Sequence, residues 1–377
     1  MNMSADAEQS YFVDGLTEDL ITDLSKVSEL FVIARNSSFA YKGKSIDVRQ
    51  IARELGVKYV LEGSARRAAD RVRINAQLID ARGGGHIWAD RFDRDLADIF
   101  AAQDEVIARI VEALVGKLTV AGLKERYRPA SLEAYDLCLR GRAEVLHSPE
   151  AGLEAIPLFE RAIALDPNYA EAYRWLALSQ SQAWVYMNRP MDLFRQLSMA
   201  SARKAVELDP EESGSHWILA FMLFYERRWE EAAKEYEISL RLNPNDADAW
   251  VSLADLRGYE GRGVEAIACA EKAMRLNPHP PSNYFWILGF AQYVAGQYEA
   301  AVGTLRNKAT YGTESRRLLS AALTRLGLLE EARKEAKLYL ATIPHFRISH
   351  WVETQPYRDM AVRDRLLEDL RKAGLPE

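Results

Sequence analysis

The sequence predicts two architectures in one chain: a small α+β N-terminal module with an incomplete sheet, then an all-α superhelical solenoid. Three observations carry this. Prolines recur behind amphipathic stretches at a near-constant interval in the second half. The first 125 residues instead mix helical spacing with strand-like alternation. Between the two patterns lies a polar stretch with Pro129, which reads as a linker. The expected organisation is a module over 1–125, a linker over 126–131, repeats over 132–346 and a capping helix over 347–377.

Within the module, Leu16, Leu20, Ile21, Leu24 and Val27 recur at helical spacing, with Glu18 and Asp19 near the start. The short apolar run Leu30–Ala34 reads as a buried strand. Asp47 followed by Gln50 has the form of a capping box, and Gly56 ends the helix that it opens. Tyr59–Ala65 reads as a strand. Arg71–Ile79 alternates, with Val72, Ile74, Ala76 and Leu78 inward, and His86–Phe92 reads as a third strand of the meander. Asp98–Leu118 is a long amphipathic helix through Val106, Ile110 and Val111.

In the second half, Leu165-Asp166-Pro167, Leu208-Asp209-Pro210, Leu242-Asn243-Pro244 and Leu276-Asn277-Pro278 place prolines 43, 34 and 34 residues apart, with Pro344 66 residues further on. Proline cannot continue a helix, so each one closes a helix and precedes the next. Internal positions agree with a repeating helix pair: Leu219-Ala220, Ala232 and Tyr236; Leu253-Ala254, Gly261 and Ala266; Leu288-Gly289, Gly296 and Ala301; Leu323, Gly327 and Ala332. This period and pattern resemble the tetratricopeptide repeat, at about six copies, the earliest degenerate and one with an insertion around Tyr186–Asp192. A last helix over Pro356–Ala373, with Met360, Val362, Leu366, Leu367 and Leu370 on one side, reads as the cap of a solenoid.

The tetratricopeptide resemblance implies that the first helix of each repeat lines a concave groove. Carried over by position, the groove receives Trp217, Phe221 and Phe224, then Asp248, Val251 and Asp255, then Asn283, Trp286, Phe290 and Tyr293. Glu314, Arg317 and Thr324 follow in the last repeat. Exposed aromatics on such a surface suit a protein or peptide partner, since aromatic anchors dominate interface energetics. The favoured reading of these aromatics themselves is packing against neighbouring helices or the cap, with the hydrophobic peptide groove as the alternative. The groove lacks clustered lysines and arginines, which disfavours capture of a C-terminal carboxylate.

A second resemblance lies in the N-terminal words Tyr11-Phe12, Asp14-Gly15, Ile33-Ala34-Arg35-Asn36-Ser37-Ser38, Tyr59-Val60-Leu61-Glu62-Gly63-Ser64 and Trp88-Ala89-Asp90-Arg91-Phe92-Asp93. They resemble the TolB N-terminal-like module, which stands beside tetratricopeptide repeats in bacterial, especially rhizobial, adenylate cyclase-family and CadC-like regulator proteins. In that family an apolar strand leads into the Asn-x-Ser turn. Here Met1 abuts Asn2-Met3-Ser4, so a truncated product or a misassigned start is expected.

Composition narrows the chemistry. The chain has 377 residues, 49 basic against 55 acidic, so no bulk charge favours nucleic acid. Two cysteines and six scattered histidines exclude a disulfide scaffold and a cysteine-based zinc site. No cofactor or metal is expected. Trp217–Tyr225 and Tyr284–Gly296 are the most apolar stretches, well short of the ~20 residues a bilayer needs. The acidic N-terminus lacks a secretory pattern, so a cytoplasmic location is the default, and a periplasmic one follows if the chain belongs to a longer membrane protein.

Local motifs read as structure rather than catalysis. Gly83-Gly84-Gly85 lies between two strands and predicts a hairpin turn, since a phosphate loop would open a helix. Asp90, Arg91, Asp93, Arg94 and Asp95 read as local ion pairs, and Arg66, Arg67, Arg71 and Arg73 as a solvated hairpin tip. Arg35-Asn36-Ser37-Ser38 reads as a hydrogen-bonded loop, with a ligand site as the alternative. The metal-binding aspartate segment of class III cyclases is absent, so no catalysis is expected from this chain. The leading expectation is a non-catalytic interaction scaffold. The alternatives are the regulatory half of an adenylate cyclase-family protein, or the sensor half of a CadC-like transcription regulator.

Overall fold

The computed structural model describes residues 10–68, 71–115, 129, 131–185, 191–311 and 315–377. It has an α+β N-terminal part followed by stacked helices, as expected. The chain divides into two compact units, one comprising residues 1–219 with 241–245, the other 220–240 with 246–377. This division does not follow the expected boundary at 126–131, most of which lies outside the described residues.

The first unit opens with α1 (Ser10–Ser25), α2 (Arg35–Phe39) and α3 (Val48–Leu55). Asp47 caps α3 by accepting from the Arg49 amide, and Gly56 closes it at φ +66°. Only half of the expected capping box forms, because the Gln50 side chain donates to Glu54 instead. Strands β1 (Tyr59–Ala68), β2 (Arg71–Asp80) and β3 (Gly85–Asp95) form an antiparallel meander. Tyr59 pairs with Asp80, and Ile74 with Phe92. The glycine run is the expected hairpin turn, with Gly84 at φ +71° and its amide bonded to Asp80 O at 2.8 Å. Leu30–Ala34 is not a strand. It is an extended connection whose Val32 amide meets the Asn245 side chain, while that side chain donates to Ser25 O and Leu30 O at 2.9 and 3.0 Å. A side-chain amide therefore satisfies the backbone that a sheet neighbour would otherwise satisfy.

A 3₁₀ turn (Leu96–Asp98) leads into α4 (Ile99–Leu114). The predicted continuation to Leu118 falls outside the described residues. Phe12, Leu16, Val72, Ile74, Phe92 and Ile110 form the sheet's core. That core continues without a break into the first helical repeat, α5 (Leu132–His147), α6 (Pro149–Glu154) and α7 (Ile156–Leu165), through Tyr135, Leu139 and Phe159. The approach is close: a Cβ at Gly15 on α1 would sit 2.6 Å from Leu139. Next come α8 (Ala170–Val185) and α9 (Met191–Leu208); most of the expected insertion, 186–190, lies outside the described residues.

Helix pairs of regular length follow: α10 (Ser213–Tyr225) and α11 (Trp229–Leu242), α12 (Ala247–Tyr259) and α13 (Gly263–Leu276), α14 (Ser282–Val294) and α15 (Tyr298–Leu305), α16 (Ser315–Arg325) and α17 (Leu329–Thr342). Each pair turns through one left-handed residue: Arg227, Gly261, Gly296 and Gly327, at φ +60°, +79°, +78° and +75°. The next amide reaches back to close the helix, as from Arg262 N to Arg257 O at 2.9 Å. Alanines 232, 266, 301 and 332 on the second helices are fully buried, where two helix backbones must approach. The chain ends with α18 (Ile348–Thr354) and α19 (Met360–Lys372). The last helix thus begins four residues after the predicted Pro356, and Met360 is exposed at 49% rather than part of its apolar side. Among the described residues, no helix is long and apolar enough to cross a membrane.

Candidate functional site

The expected groove residues of the second unit range from buried to exposed. Phe224, Val251, Phe290 and Tyr293 are buried. Phe221 is half-buried, its ring edge-on to Tyr225 at 5.0 Å. Trp286 is half-buried and stacked on Phe290 at 5.6 Å. Asn283 and Asp248 are exposed, and the Asp248 carboxylate accepts from Tyr284 at 2.6 Å. Trp217 belongs to the first unit, where it is half-buried. Arg317 is buried with its guanidinium 4.3 Å from the Trp351 ring, Thr324 bonds back to Ser320 O, and Glu314 lies outside the described residues.

What covers the aromatics is the chain's own C-terminal segment. Tyr357 is 3% exposed, and its ring lies 4.7 Å from Tyr259 and 6.5 Å from Phe290. Tyr259 in turn contacts Phe224 at 5.4 Å and Phe290 at 4.9 Å. Around this ring cluster the segment is held by polar bonds. Trp229 Nε1 donates to Pro356 O at 3.0 Å, and the Tyr259 hydroxyl donates to Gln355 Oε1 at 2.7 Å. The amides of Arg358 and Asp359 both donate to Tyr259 O at 3.1 Å. Arg358 pairs with Glu260 at 2.9 Å and with Glu230. Further along, Tyr293 donates to Asp369, which also pairs with Arg325 at 2.6 Å.

Beneath this cover, Asp255 has a buried Oδ1 with no hydrogen-bond partner. Burial pushes its carboxyl up to about 7. Burial also raises the neighbouring Tyr236 and Tyr357 hydroxyls, and the charge of Asp255 adds to both. The Trp286 indole N–H is a second buried group without a partner. Of the positions carried over from the repeat resemblance, Phe224 and Phe290 belong to this ring cluster and Asp255 lies close enough to raise Tyr259 and Tyr357. The resemblance missed Arg227, Trp229, Tyr259 and Tyr357, whose role depends on a segment about 100 residues away. The one available signal was Arg227, standing where the next three repeats have glycine.

The first unit holds a separate polar centre. Arg142, on the inner face of α5, donates to Asp19 Oδ1 at 2.8 Å and Glu171 Oε1 at 2.9 Å, and pairs with Glu18 at 3.2 Å. Burial alone would lower the guanidinium, but Glu18, Asp19 and Glu171 outweigh it and hold it well above its ordinary value. Tyr135 donates to Asp19 at 2.8 Å. A cleft of about 190 Å³ opens beside this centre, lined by Tyr11, Asp14, Glu18, Arg35, Arg142 and His147. Arg35, one of the loop residues with an alternative ligand reading, pairs with Glu18 at 3.2 Å and lies over Phe39, while Ser38 bonds Ala34 O at 3.2 Å. The hairpin charges pair locally, Arg73 and Arg91 on Asp93 and Arg94 on Glu105. Cys138 is buried, and burial pushes its thiol well up. Among the described residues no group of three or more His, Cys, Asp or Glu is placed to hold a metal ion.

No family model matches the chain. It is 50% identical over 238 residues to a protein of Rhizobium meliloti (strain 1021) named "Putative adenylate cyclase 3", a match covering 61% of this chain and 40% of that protein. The chain therefore spans well under half the length of that relative. Among solved structures it is similar to PilW, a type IV pilus biogenesis factor, with a TM-score of 0.46, 16% identity, and 58% of this chain and 96% of that one covered. It is also similar to PilF of Pseudomonas aeruginosa, with a TM-score of 0.44, 18% identity, and 57% and 93% covered. A third is YrrB, described as a TPR protein with an unusual peptide-binding site, with a TM-score of 0.33, 23% identity, and 46% and 90% covered.

Proposed function

We propose that this chain is a non-catalytic interaction module that binds a protein segment on the inner face of its second unit. The observation that carries this is the ring cluster of Phe224, Tyr259, Phe290 and Trp286. It already holds a non-helical segment, residues 355–359, through backbone bonds as well as side chains. A surface that grips main-chain carbonyls and amides suits a peptide, because every peptide presents them. The test is a binding assay with wild type and with Trp286→Ala or Phe221→Ala, both half-buried and therefore tolerant of truncation. Loss of partner binding with an unchanged far-UV spectrum is expected, and unchanged binding would sink the reading.

A second reading is favoured by the match to the rhizobial protein. On it, this chain is the regulatory part of an adenylate cyclase-family protein, and the groove relays partner binding to a catalytic part elsewhere. The TolB-like words of the N-terminal module are consistent with it. A cyclase assay of the purified chain tests the non-catalytic assignment, and ATP turnover above background would overturn it.

A further inference from the structure

Resting on the peptide-binding reading above, we propose that Gln355–Arg358 is an internal stand-in for the partner, and that the partner segment copies it. The partner would be a non-helical segment with a proline, then an aromatic, then a cationic side chain.

Three features separate this segment from an ordinary helix cap. First, it is a non-helical connection between α18 and α19, bent at Gln355 and Arg358, and its consecutive Arg358 and Asp359 amides meet one carbonyl, Tyr259 O, at the C-terminal end of α12. Second, every part of it has a receptor. The Pro356 carbonyl meets the Trp229 indole, the Tyr357 ring enters the Tyr259–Phe290 cluster, and the Arg358 guanidinium meets Glu260 and Glu230. Third, a strained residue holds its start. Among the described residues, Arg227 is the only non-glycine with positive φ. Its structural equivalents are Gly261, Gly296 and Gly327. An arginine there carries a conformational penalty that glycine avoids. What arginine adds is its side chain: Nη2 donates to Glu353 O at 2.8 Å and Gln355 O at 3.3 Å. The acceptors are backbone carbonyls, so a different chain could supply them equally well.

The segment then acts as a competitor. A partner gains access only by displacing it, and its local concentration sets the threshold.

The experiment uses the full chain in three forms: wild type, Tyr357→Ala and Arg227→Gly. A labelled synthetic peptide of residues 350–362 is titrated against each, alongside the same peptide with its tyrosine replaced by alanine. Binding to Tyr357→Ala is expected to be about 10-fold or more tighter than to wild type, and the alanine peptide should not bind. Hydrogen exchange of residues 348–359 should speed up in Arg227→Gly although glycine relieves the backbone. Equal peptide affinity for all three chains, or unchanged exchange in Arg227→Gly, would overturn the proposal. A random displayed-peptide selection on Tyr357→Ala separates the two levels. Enrichment of sequences without the proline–aromatic–cation order defeats the stand-in but leaves the peptide site, whereas no enrichment defeats both. Should Tyr357→Ala fail to fold, Arg227→Gly, which removes strain, carries the same titration.

Discussion

Arg142 and Asp19, 123 positions apart, are bonded at 2.8 Å with both side chains about 3% exposed. The pair ties helix α5 of the first repeat to helix α1 of the α+β part, with Glu171 of α8 as a further partner. The α+β part and the first repeats thereby share one polar centre as well as one apolar core.

Removing the cation from that centre should be severe. Arg142→Ala would leave Glu18, Asp19 and Glu171 facing one another without a cation, and loss of one partner of a buried pair costs about 3–5 kcal/mol. Urea unfolding should show this loss, and adding Asp19→Asn to Arg142→Ala should recover part of it. A loss below about 1 kcal/mol would mean that the centre is hydrated.

Asp255 predicts a pH dependence in the second unit. Its folded carboxyl titrates near 7 and its unfolded one near 3.8. Between those values the native state holds a proton that the unfolded state has released, so this group's contribution falls as pH rises from about 4 to about 7. Tyr236, Tyr259 and Tyr357 face it, and no cation bonds its Oδ1. Asp255→Asn should therefore match wild type near pH 4 and exceed it above pH 7, by on the order of 4 kcal/mol. Paired thermal melts across that range check this, and a pH-independent difference would contradict it.

Gly141 tests how tightly the first repeat is packed. A Cβ there would lie 2.6 to 3.1 Å from three atoms of the Phe159 ring, itself fully buried. Gly141→Ala should destabilise the chain by about 1–3 kcal/mol despite the better helix propensity of alanine. Gly141→Ala combined with Phe159→Leu should relieve the clash. A stabilised single variant would show that the ring has room to turn.

The two thiols should report unfolding separately. Cys138 is buried and its thiol is held protonated by burial, while Cys269 is half-buried with a smaller barrier to access. A thiol reagent at neutral pH should label Cys269 slowly in the native chain and Cys138 only as denaturant unfolds the first unit. Native labelling of Cys138 at the faster rate would place it outside the core.

Much of the fold was legible because it is local. The proline and glycine punctuation at Pro244, Gly261, Pro278 and Gly296, and the alternation through Val72, Ile74 and Ala76, are short-range constraints on backbone and burial. The reading of Leu30–Ala34 as a strand failed for a different reason. A strand needs a neighbour, and here Asn245, more than 200 residues away, takes the neighbour's place. Phe224 and Phe290 are positions carried over from the repeat resemblance, and their burial against Tyr259 is a tertiary fact.

By itself, then, the sequence determined the helix pairs and the meander, since each depends on residues within about one repeat of one another. Only the tertiary structure decided that Tyr357 closes the ring cluster, that Arg227 holds the segment in place and that Arg142 joins α1 to α5. Those contacts span 98 to 128 positions in the cases of Arg358–Glu260, Trp229–Pro356 and Arg227–Gln355. No periodicity records them, because they arise only when separate elements are brought together and their polar groups must find partners out of water.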